Sequence, residues 1–473
     1  MTSIFWHDYE TTGTSPALDR PVQFAGIRTD EELNIIDEPV SLYCQPSTDV
    51  LPHPEACLVT GISPQLAAAR GVPEPEFIAA IHRQFMIPGT CGAGYNSIRF
   101  DDEVTRYTLY RNFYDPYERE WQGGNSRWDI IDMVRLAHAL RPEGINWPKN
   151  DEGYTSFRLE LLTKANGIGH ESAHDALSDV EATIAMARLV KQKQPKLYAY
   201  VFENRHKRRV AELLDIRQRK PFLHVSSRLP RESAYTALMI PLCMHPANKN
   251  AVLAFNLSSD PRPLLELDAD AIKERVFTAA ADLDEGVERI PLKAVHINRC
   301  PVVATAKLLD SAAAARLGID ITACQQHWEQ LKTADMASKL TAVFSEPPSG
   351  LERDAEAALY DGFASPGDKA LFARVRQAPP AELAVLQSRF QDKRYRELLF
   401  RYRARYYHQS LSPEEAVVWD EQRYQRLAEP APGRLTLDEY FARIDELEKA
   451  EMAERNAGLL DKLREWGDQI LCE

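Results

Sequence analysis

No run of about 18 or more apolar residues occurs in the sequence, so we expect no membrane-spanning helix. The opening residues, MTSIFWHDYE, lack the basic and then apolar pattern of a secretory leader. The seven cysteines are scattered, and no Cys-x-x-Cys pair occurs among them. This argues against a zinc ribbon or a disulfide framework and for reduced thiols, so we expect a cytoplasmic protein.

Basic residues are outnumbered by acidic ones, so the formal net charge is −13. Binding to phosphate needs positive potential, so the total charge argues against a nucleic-acid partner. The argument is weak, however, because a basic groove can lie on an acidic body and because metal-binding acids add to the negative total. Charge therefore leaves the functional class open.

The composition changes along the chain in a way that predicts three domains. Residues 1–194 alternate strand-like and helix-like segments, which is typical of an α/β domain. Residues 195–346 contain short aliphatic runs separated by Pro, Asn and Ser, which predict a small antiparallel barrel or sheet. The segment SEPPSG (345–350) predicts a linker, and residues 350–473 have the spacing of packed helices.

The stretch FWHDYETTG places Asp8 and Glu10 two residues apart at the end of an apolar strand. Residues i and i+2 of a strand point to the same face, so the two carboxylates should repel each other unless a cation lies between them. Mg²⁺ and Mn²⁺ prefer such oxygen ligands. An exposed edge strand protected by acids is the alternative, and the short motif alone favours it.

Two further segments carry acids or a histidine at the start of predicted helices. GYNSIRFDDE offers Asp101, with Asp102 as the residue that caps the helix. HESAHDALSD offers His174 before a helix and Asp179 within it, although a lone histidine in such a place is more often a surface or capping residue. With Asp8 and Glu10, these residues would suit two-metal phosphodiester hydrolysis, in which His174 serves as general base.

The order of these blocks resembles the DEDDh 3′→5′ exonuclease superfamily, through HDYE, NSIRFD and HDALSD. Longer phrases, among them GYNSIRFDDEVTRYTLYRNFYDPY, VHINRCPV and FRYRARYY, are similar to the bacterial exonuclease I family. The resemblance implies a ribonuclease H-like α/β exonuclease domain, an SH3-like barrel and a helical domain that form a C-shaped clamp. It also implies processive, Mg²⁺-dependent release of 5′-mononucleotides from the free 3′ end of single-stranded DNA, in repair and recombination.

The resemblance assigns roles to five residues. It implies that Asp8, Glu10, Asp101 and Asp179 hold two Mg²⁺ ions, which Mn²⁺ can replace, and that His174 is the base. Glu10 would also contact the terminal nucleotide. An RNA-trimming exonuclease and a catalytically inactive clamp are the alternatives.

Binding residues are proposed on two grounds. The resemblance implies that Arg158 contacts a phosphate or nucleotide, whereas the mixture of basic and aromatic residues in RYTLYRNFYDPYEREW favours Arg106, Tyr117 and Trp121 as further DNA contacts. The family also implies a partner, the acidic C-terminal tail of single-strand DNA-binding protein. Such a tail needs an arginine and an apolar surface, for which we select Arg141 and Tyr200. We expect a monomer.

Overall fold

A computed structural model describes residues 2–170, 175–345, 353–449 and 453–472. The chain divides into two compact units, of which the first combines residues 1–126, 170–184 and 351–473 and the second combines residues 127–169 and 185–350. The predicted linker lies outside the described residues from position 346 onward. The domain boundaries proposed from the sequence stay a prediction.

The first unit begins with alternating strands and helices and ends with helices alone. Its elements up to residue 111 are β1 (Ser3–Thr11), β2 (Pro21–Thr29), β3 (Val40–Tyr43), α1 (Pro54–Thr60), α2 (Pro64–Arg70), α3 (Glu74–Phe85), β4 (Thr90–Gly94) and α4 (Asp101–Arg111). The next elements along the chain are β5 (Ser126–Asp129), α5 (Ile131–Leu140), α6 (Leu159–Ala165) and α7 (Ala176–Lys193).

The remaining elements follow the same order along the chain. They are α8 (Pro195–Glu203), α9 (Lys207–Leu213), β6 (Phe222–Val225), β7 (Thr236–Met244), β8 (Ala251–Asn256), α10 (Arg262–Glu266), α11 (Ala269–Phe277), β9 (Leu292–His296), β10 (Val302–Thr305), α12 (Ser311–Arg316), α13 (Ile321–Leu331) and α14 (Ala337–Val343). The C-terminal helices are α15 (Pro366–Gln377), α16 (Pro380–Gln387), α17 (Lys393–Tyr406), α18 (Pro413–Ala428), α19 (Leu437–Glu448) and α20 (Ala453–Cys472). No helix among the described residues is long and apolar enough to cross a membrane.

Strand β1 lies inside the sheet of the first unit, whose order is β3-β2-β1-β4. It pairs antiparallel with β2 and parallel with β4. The interpretation of β1 as an exposed edge strand is therefore wrong, since β2 pairs with it along almost its whole length and β4 pairs with its first half on the other side. Because β4 ends at Gly94, next to the middle of β1, the last residues of β1 extend past it towards the start of α4.

An aromatic core packs beneath this sheet and fixes β1 in place. Phe5 contacts Phe24 of β2 and Phe85 of α3, with ring centroids 6.2 Å and 5.3 Å away. Gly26 of β2 has no side chain where a Cβ would come within 2.3 Å of the Phe5 ring. Glycine is therefore needed at this close approach, and the apolar half of β1 anchors the half that carries the acids.

Within the first unit, the C-terminal part of the chain meets the N-terminal part at a buried group of charged side chains, which we call the ion cluster. Its central acids are Asp49 and Glu356. Glu356 Oε2 accepts hydrogen bonds from Arg20 Nη2 at 2.8 Å and from Arg426 Nη2 at 3.0 Å. Asp49 Oδ2 accepts from Arg405 Nη2 at 2.6 Å. All five side chains are at most 8% exposed, so residues far apart in sequence meet here out of contact with solvent.

The second unit contains an antiparallel sheet of order β10-β6-β7-β8-β9. Its strands carry Phe222, Met239 and Val252 into a core that is completed by Val210 of α9. The aliphatic runs in this part of the sequence predict such a sheet, because β-branched and aliphatic residues fit a pleated, half-buried surface.

Candidate active site

Three carboxylates come together at the end of β1. One carboxylate oxygen each from Asp8, Glu10 and Asp179 lies within 4.8 Å of the others, the only such group of three metal-binding side chains found in the described part of the chain. Asp8 and Glu10 reach this place because they alternate with His7 and Tyr9 along β1. Asp179 reaches it from the first turn of α7.

Asp101 supplies a fourth carboxylate from the first residue of α4. Its Oδ1 accepts a hydrogen bond from the backbone N–H of Tyr9 at 3.1 Å, and its side chain is buried. The backbone between Asp8 and Glu10 thus orients Asp101 directly. Its charge contributes to raising the pKa values of both Asp8 and Glu10, which places it in the same electrostatic site.

The electrostatics of the site favour a bound cation. Desolvation, followed by the charges of Asp101, Glu10 and Asp179, raises the pKa of Asp8 well above its usual value. Desolvation, followed by Asp179 and Asp101, raises the pKa of Glu10 to about 9. Such crowded carboxylates are stable in their charged form only with a positive partner, and an all-oxygen donor set fits Mg²⁺ or Mn²⁺. The residues present therefore fit the divalent metal that the sequence predicts.

Removing one of these charges should stabilise the metal-free protein. Glu10 has a higher pKa in the folded than in the unfolded chain, so the folded state holds the extra proton, and the free energy of unfolding falls as pH rises from about 4.5 to about 9. The neutral Glu10→Gln variant escapes this loss. At pH 8 in EDTA we expect its free energy of unfolding to exceed that of the wild type by on the order of 1 to 3 kcal/mol.

Denaturant unfolding of both proteins at pH 4 and pH 8 measures this difference. We expect the gap to close at pH 4, where Glu10 is protonated in the folded and the unfolded chain alike. Saturating Mn²⁺ at pH 8 should stabilise the wild type more than the variant, because the wild type has one more ligand. Equal stability of the two metal-free proteins at both pH values would show that Glu10 carries no electrostatic strain.

The opposite face of β1 has a separate, structural arrangement. His7 lies there, buried, and its Nε2 is 3.9 Å from Asp102 Oδ1. Asp102 accepts a hydrogen bond of 2.6 Å from Arg119 Nη2. The expectation that Asp102 caps α4 is wrong, because α4 has no side-chain cap and the Asp102 carboxylate is used by Arg119 instead.

His174, the predicted base, lies outside the described residues. Another histidine, His170, has its Nε2 2.6 Å from Oδ1 of Asp179. His170 was not among the residues predicted for the site, which include only the histidine five positions before Asp179. The signal was present, since HESAHDALSD contains both histidines, but no local rule indicates that the chain brings the first one back to the helix.

The predicted DNA contacts of the first unit differ in exposure. Arg106 is buried, and its guanidinium donates to Glu103 and Glu120 at 2.7 Å and to the Tyr360 hydroxyl at 3.0 Å. Trp121 is 65% exposed. Tyr117 is half-buried, with the Arg106 guanidinium 5.3 Å from its ring centroid.

An exposed aromatic residue that sequence reasoning missed lies beside Tyr117. Phe363 is 82% exposed, and its ring centroid is 5.8 Å from that of Tyr117. It comes from the segment before α15, so its proximity to Tyr117 depends on the packing of the C-terminal helices and cannot be inferred from local sequence.

The predicted residues of the second unit lie on different elements. Arg158 precedes α6, is 71% exposed and pairs with Glu160. Arg141 follows α5, where its Nη1 lies 3.3 Å from Asp310 Oδ2. Tyr200 is half-buried on α8.

The arginines of α17 form hydrogen bonds and ion pairs within the protein. Arg405 belongs to the ion cluster. Arg401 pairs with Asp354 at 2.9 Å, and Arg403 pairs with Glu415 at 2.7 Å. Their basic pattern therefore serves the packing of the C-terminal helices.

A mixed sheet with four acids at the end of its central strand is the arrangement of a metal-dependent exonuclease, and the family model described as exonuclease matches residues 5–187. Two further models, the exonuclease I SH3-like domain and the exonuclease I C-terminal domain, match residues 205–346 and 353–470. The chain belongs to the exonuclease I family. The fold class predicted from the sequence is confirmed for its three domain types.

Relatives of known name agree with this assignment. Exodeoxyribonuclease I of Escherichia coli K12 is 50% identical over 427 residues, which cover 90% of both chains. The solved exonuclease I of Methylocaldum szegediense is 52% identical, with a TM-score of 0.95 over 99% of this chain and 100% of that one.

Escherichia coli exonuclease I has been solved in several states that resemble this chain. Its complex with a dA16 oligonucleotide is 46% identical, with a TM-score of 0.94 over 99% of this chain and all of that one. A zinc-bound complex with single-stranded DNA has the same identity and TM-score, over the full length of both chains. A further solved structure, described as SSB and exonuclease I with an inhibitor and without a named organism, has a TM-score of 0.91 over 99% of this chain and all of that one.

Proposed function

We propose that the protein degrades single-stranded DNA processively from a free 3′ end, releases 5′-mononucleotides, and acts in repair and recombination. The observation that carries the proposal is the group of carboxylates from Asp8, Glu10 and Asp179, with Asp101 bonded to the same strand. The chain belongs to a family whose Escherichia coli member has been solved with single-stranded DNA, which supports the choice of substrate.

The four acids are proposed to hold two Mg²⁺ ions, and Mn²⁺ is expected to replace them. Bound there, the ions supply Lewis acidity at the scissile phosphate and a water of lowered pKa. His174 is proposed to accept the proton of that water, since an imidazole titrates near neutral pH. Glu10, at the end of β1, is proposed also to contact the terminal nucleotide.

We propose that Tyr117 and Trp121 stack on bases of the strand and that Phe363 extends the same aromatic surface. Base stacking does not depend on sequence, which suits an enzyme that degrades any strand. Arg106 is proposed to act indirectly, because its charge is balanced by Glu103 and Glu120 while its guanidinium supports the Tyr117 ring. Arg158 is proposed to leave its ion pair with Glu160 when DNA binds and to contact a phosphate of the DNA backbone instead.

A panel of labelled substrates tests the proposal. The protein is incubated with Mg²⁺ and with single-stranded DNA, the same strand blocked by a 3′-phosphate, blunt duplex DNA, and RNA of the same sequence. We expect mononucleotide release from the unblocked single strand alone. An excess of unlabelled DNA, added after the reaction starts, should leave bound strands to be degraded to the end if the enzyme is processive.

Each of the other outcomes favours a different function. Preferential hydrolysis of RNA would make the protein an RNA-trimming exonuclease. Internal fragments would indicate an endonuclease. Strand binding without any hydrolysis would identify an inactive clamp.

We also propose that the protein works in the cytoplasm as a monomer and binds the acidic C-terminal tail of single-strand DNA-binding protein. Arg141 is proposed to hold the terminal carboxylate, and Tyr200 to line the apolar part of the site. In the structure Arg141 pairs with Asp310. A bound tail would therefore place its own carboxylate where that of Asp310 lies. A solved structure of SSB and exonuclease I with an inhibitor supports the choice of partner.

The Arg141→Ala variant should bind a tail peptide about 10- to 100-fold more weakly, because a hydrogen bond to a charged group contributes about 1.5 to 3 kcal/mol. Fluorescence anisotropy of a labelled peptide measures this loss, while hydrolysis of naked DNA should be unaltered. Arg208→Ala is the matched control, since Arg208 is an arginine of the same unit that is 90% exposed. Equal peptide affinity of Arg141→Ala and the wild type would contradict the assignment.

A further inference from the structure

Gln23 is a buried polar residue next to the metal-binding carboxylates. It lies on β2 directly opposite Glu10 on β1. Residues that face each other across an antiparallel pair project on the same side of the sheet. The Gln23 side chain therefore lies on the side of the sheet that carries Asp8 and Glu10, and only 2% of Gln23 is exposed.

The side-chain amide of Gln23 forms hydrogen bonds through both its nitrogen and its oxygen. All of its partners lie on the side of the sheet that carries Asp8 and Glu10. Its Nε2 donates to Asp175 Oδ2 at 3.2 Å and to the Tyr43 hydroxyl at 3.3 Å. Its Oε1 accepts the backbone N–H of Ala176 at 3.5 Å. The amide thus connects β3 and β2 with the residues that open α7.

Asp175 is in turn hydrogen-bonded to the first turn of α7. Its Oδ1 accepts the N–H of Ser178 at 3.2 Å, and its backbone carbonyl accepts the N–H of Asp179 at 3.0 Å. The first turn of α7, which carries Asp179, is therefore joined to β2 through Gln23.

We propose that Gln23 is a positioning residue of the metal site. It fixes the first turn of α7 against β2, and so sets the distance between Asp179 and the two acids of β1. The expected effect on kcat rests on the proposed function, whereas the expected effect on metal binding rests on the geometry of the carboxylates.

The chemistry of the position explains why an amide is needed. The side chain must donate to the Asp175 carboxylate and accept from a backbone N–H at once, which neither an apolar nor a carboxylate side chain can do. A glutamate would also place another negative charge opposite Asp175 and beside Glu10, where carboxylates already repel one another. Glutamine makes both bonds and adds no charge.

The Gln23→Leu variant tests the proposal, because leucine fills most of the same space with an apolar side chain and removes all three hydrogen bonds of the amide. Hydrogen-bonding partners behind metal ligands typically affect metal affinity or activity by about 10- to 100-fold. We expect Mn²⁺ affinity, measured by calorimetry without DNA, and kcat on single-stranded DNA both to fall within that range. KM for DNA should not change, because Gln23 is too buried to touch the strand.

The control is Gln65→Leu, since Gln65 also bonds within the first unit but to the carbonyl of Lys462, away from the acids. It should leave Mn²⁺ affinity and kcat unaltered. If Gln23→Leu fails to fold, Gln23→Met, which has nearly the length of glutamine, no hydrogen-bonding amide and no charge, carries the same expectation. Unchanged Mn²⁺ affinity and kcat in a folded Gln23 variant would overturn the proposal.

The two readouts separate this inference from the proposed function. A wild-type protein that binds Mn²⁺ but hydrolyses no DNA would refute the function, and weaker Mn²⁺ binding by Gln23→Leu would still support positioning. A fall in kcat in proportion to the folded fraction, with unchanged Mn²⁺ affinity of the folded protein, would reduce Gln23 to a packing residue.

Discussion

The Asp8→Asn variant should hydrolyse single-stranded DNA about 10³- to 10⁴-fold more slowly than the wild type. Metal ions contribute several kcal/mol of transition-state stabilisation, and each 1.36 kcal/mol corresponds to a factor of ten in rate. Asparagine keeps the shape of Asp8 but removes the charge that shares a site with Glu10 and Asp179. Affinity for DNA should change little, because the proposed stacking residues do not include Asp8.

Single-turnover cleavage measures the rate, and fluorescence anisotropy in EDTA measures DNA affinity. Asp420→Asn, the same substitution at an exposed position of α18, is the control and should behave as the wild type. A wild-type cleavage rate in Asp8→Asn would show that the metal-binding residues are wrongly assigned. Joint loss of cleavage and DNA affinity would instead give Asp8 a role in binding the strand.

The Glu356→Ala variant should lose about 3 to 5 kcal/mol of stability, the usual effect of removing one partner from a buried ion group. The change leaves Arg20, Arg405 and Arg426 buried with too few negative charges. For a unit of this size the loss corresponds to a fall in melting temperature on the order of 10 °C. Thermal unfolding followed by circular dichroism measures it.

Glu421→Ala, which removes an exposed acid from α18, is the matched control and should lower the melting temperature by little. Although burial opposes ionisation of Glu356, Arg20 and then Arg405 hold its pKa well below 4.5. Stability from this group is therefore complete above about pH 4.5 and is lost as pH falls towards the folded-state pKa. Equal melting temperatures of Glu356→Ala and Glu421→Ala at pH 7 would show that the ion cluster contributes nothing.

The acids of the site were predictable because their signals are local. The alternation of β1 places Asp8 and Glu10 on one face, and the order of three sequence blocks connects them with Asp101 and Asp179. Spacing on its own favoured an edge strand for Asp8 and Glu10. The position of β1 between β2 and β4 excludes the edge-strand interpretation, and that position is a property of the whole sheet.

Residues whose roles depend on distant partners were not predictable in the same way. Asp102 has the sequence position of a helix cap, but Arg119, 17 residues later, takes its carboxylate. Arg106 lies among aromatic residues as a DNA-binding arginine would, yet its guanidinium bonds to Tyr360, 254 residues away. Local pattern shows which residues are charged, and only the packed chain shows which charges are already balanced.

The ion cluster also bears on how the protein is made. Arg20 and Glu356 are 336 positions apart, so the two halves of this contact leave the ribosome at different times. At about 5 to 20 residues per second, the N-terminal strands wait roughly 20 to 70 s for their C-terminal partner. During that interval Arg20 and Asp49 have no Glu356 or Arg405 to pair with, and the acids of β1 repel one another unless a metal is bound. The ion cluster can therefore form only once the last quarter of the chain is being synthesised, and the N-terminal strands are without its stabilisation until then.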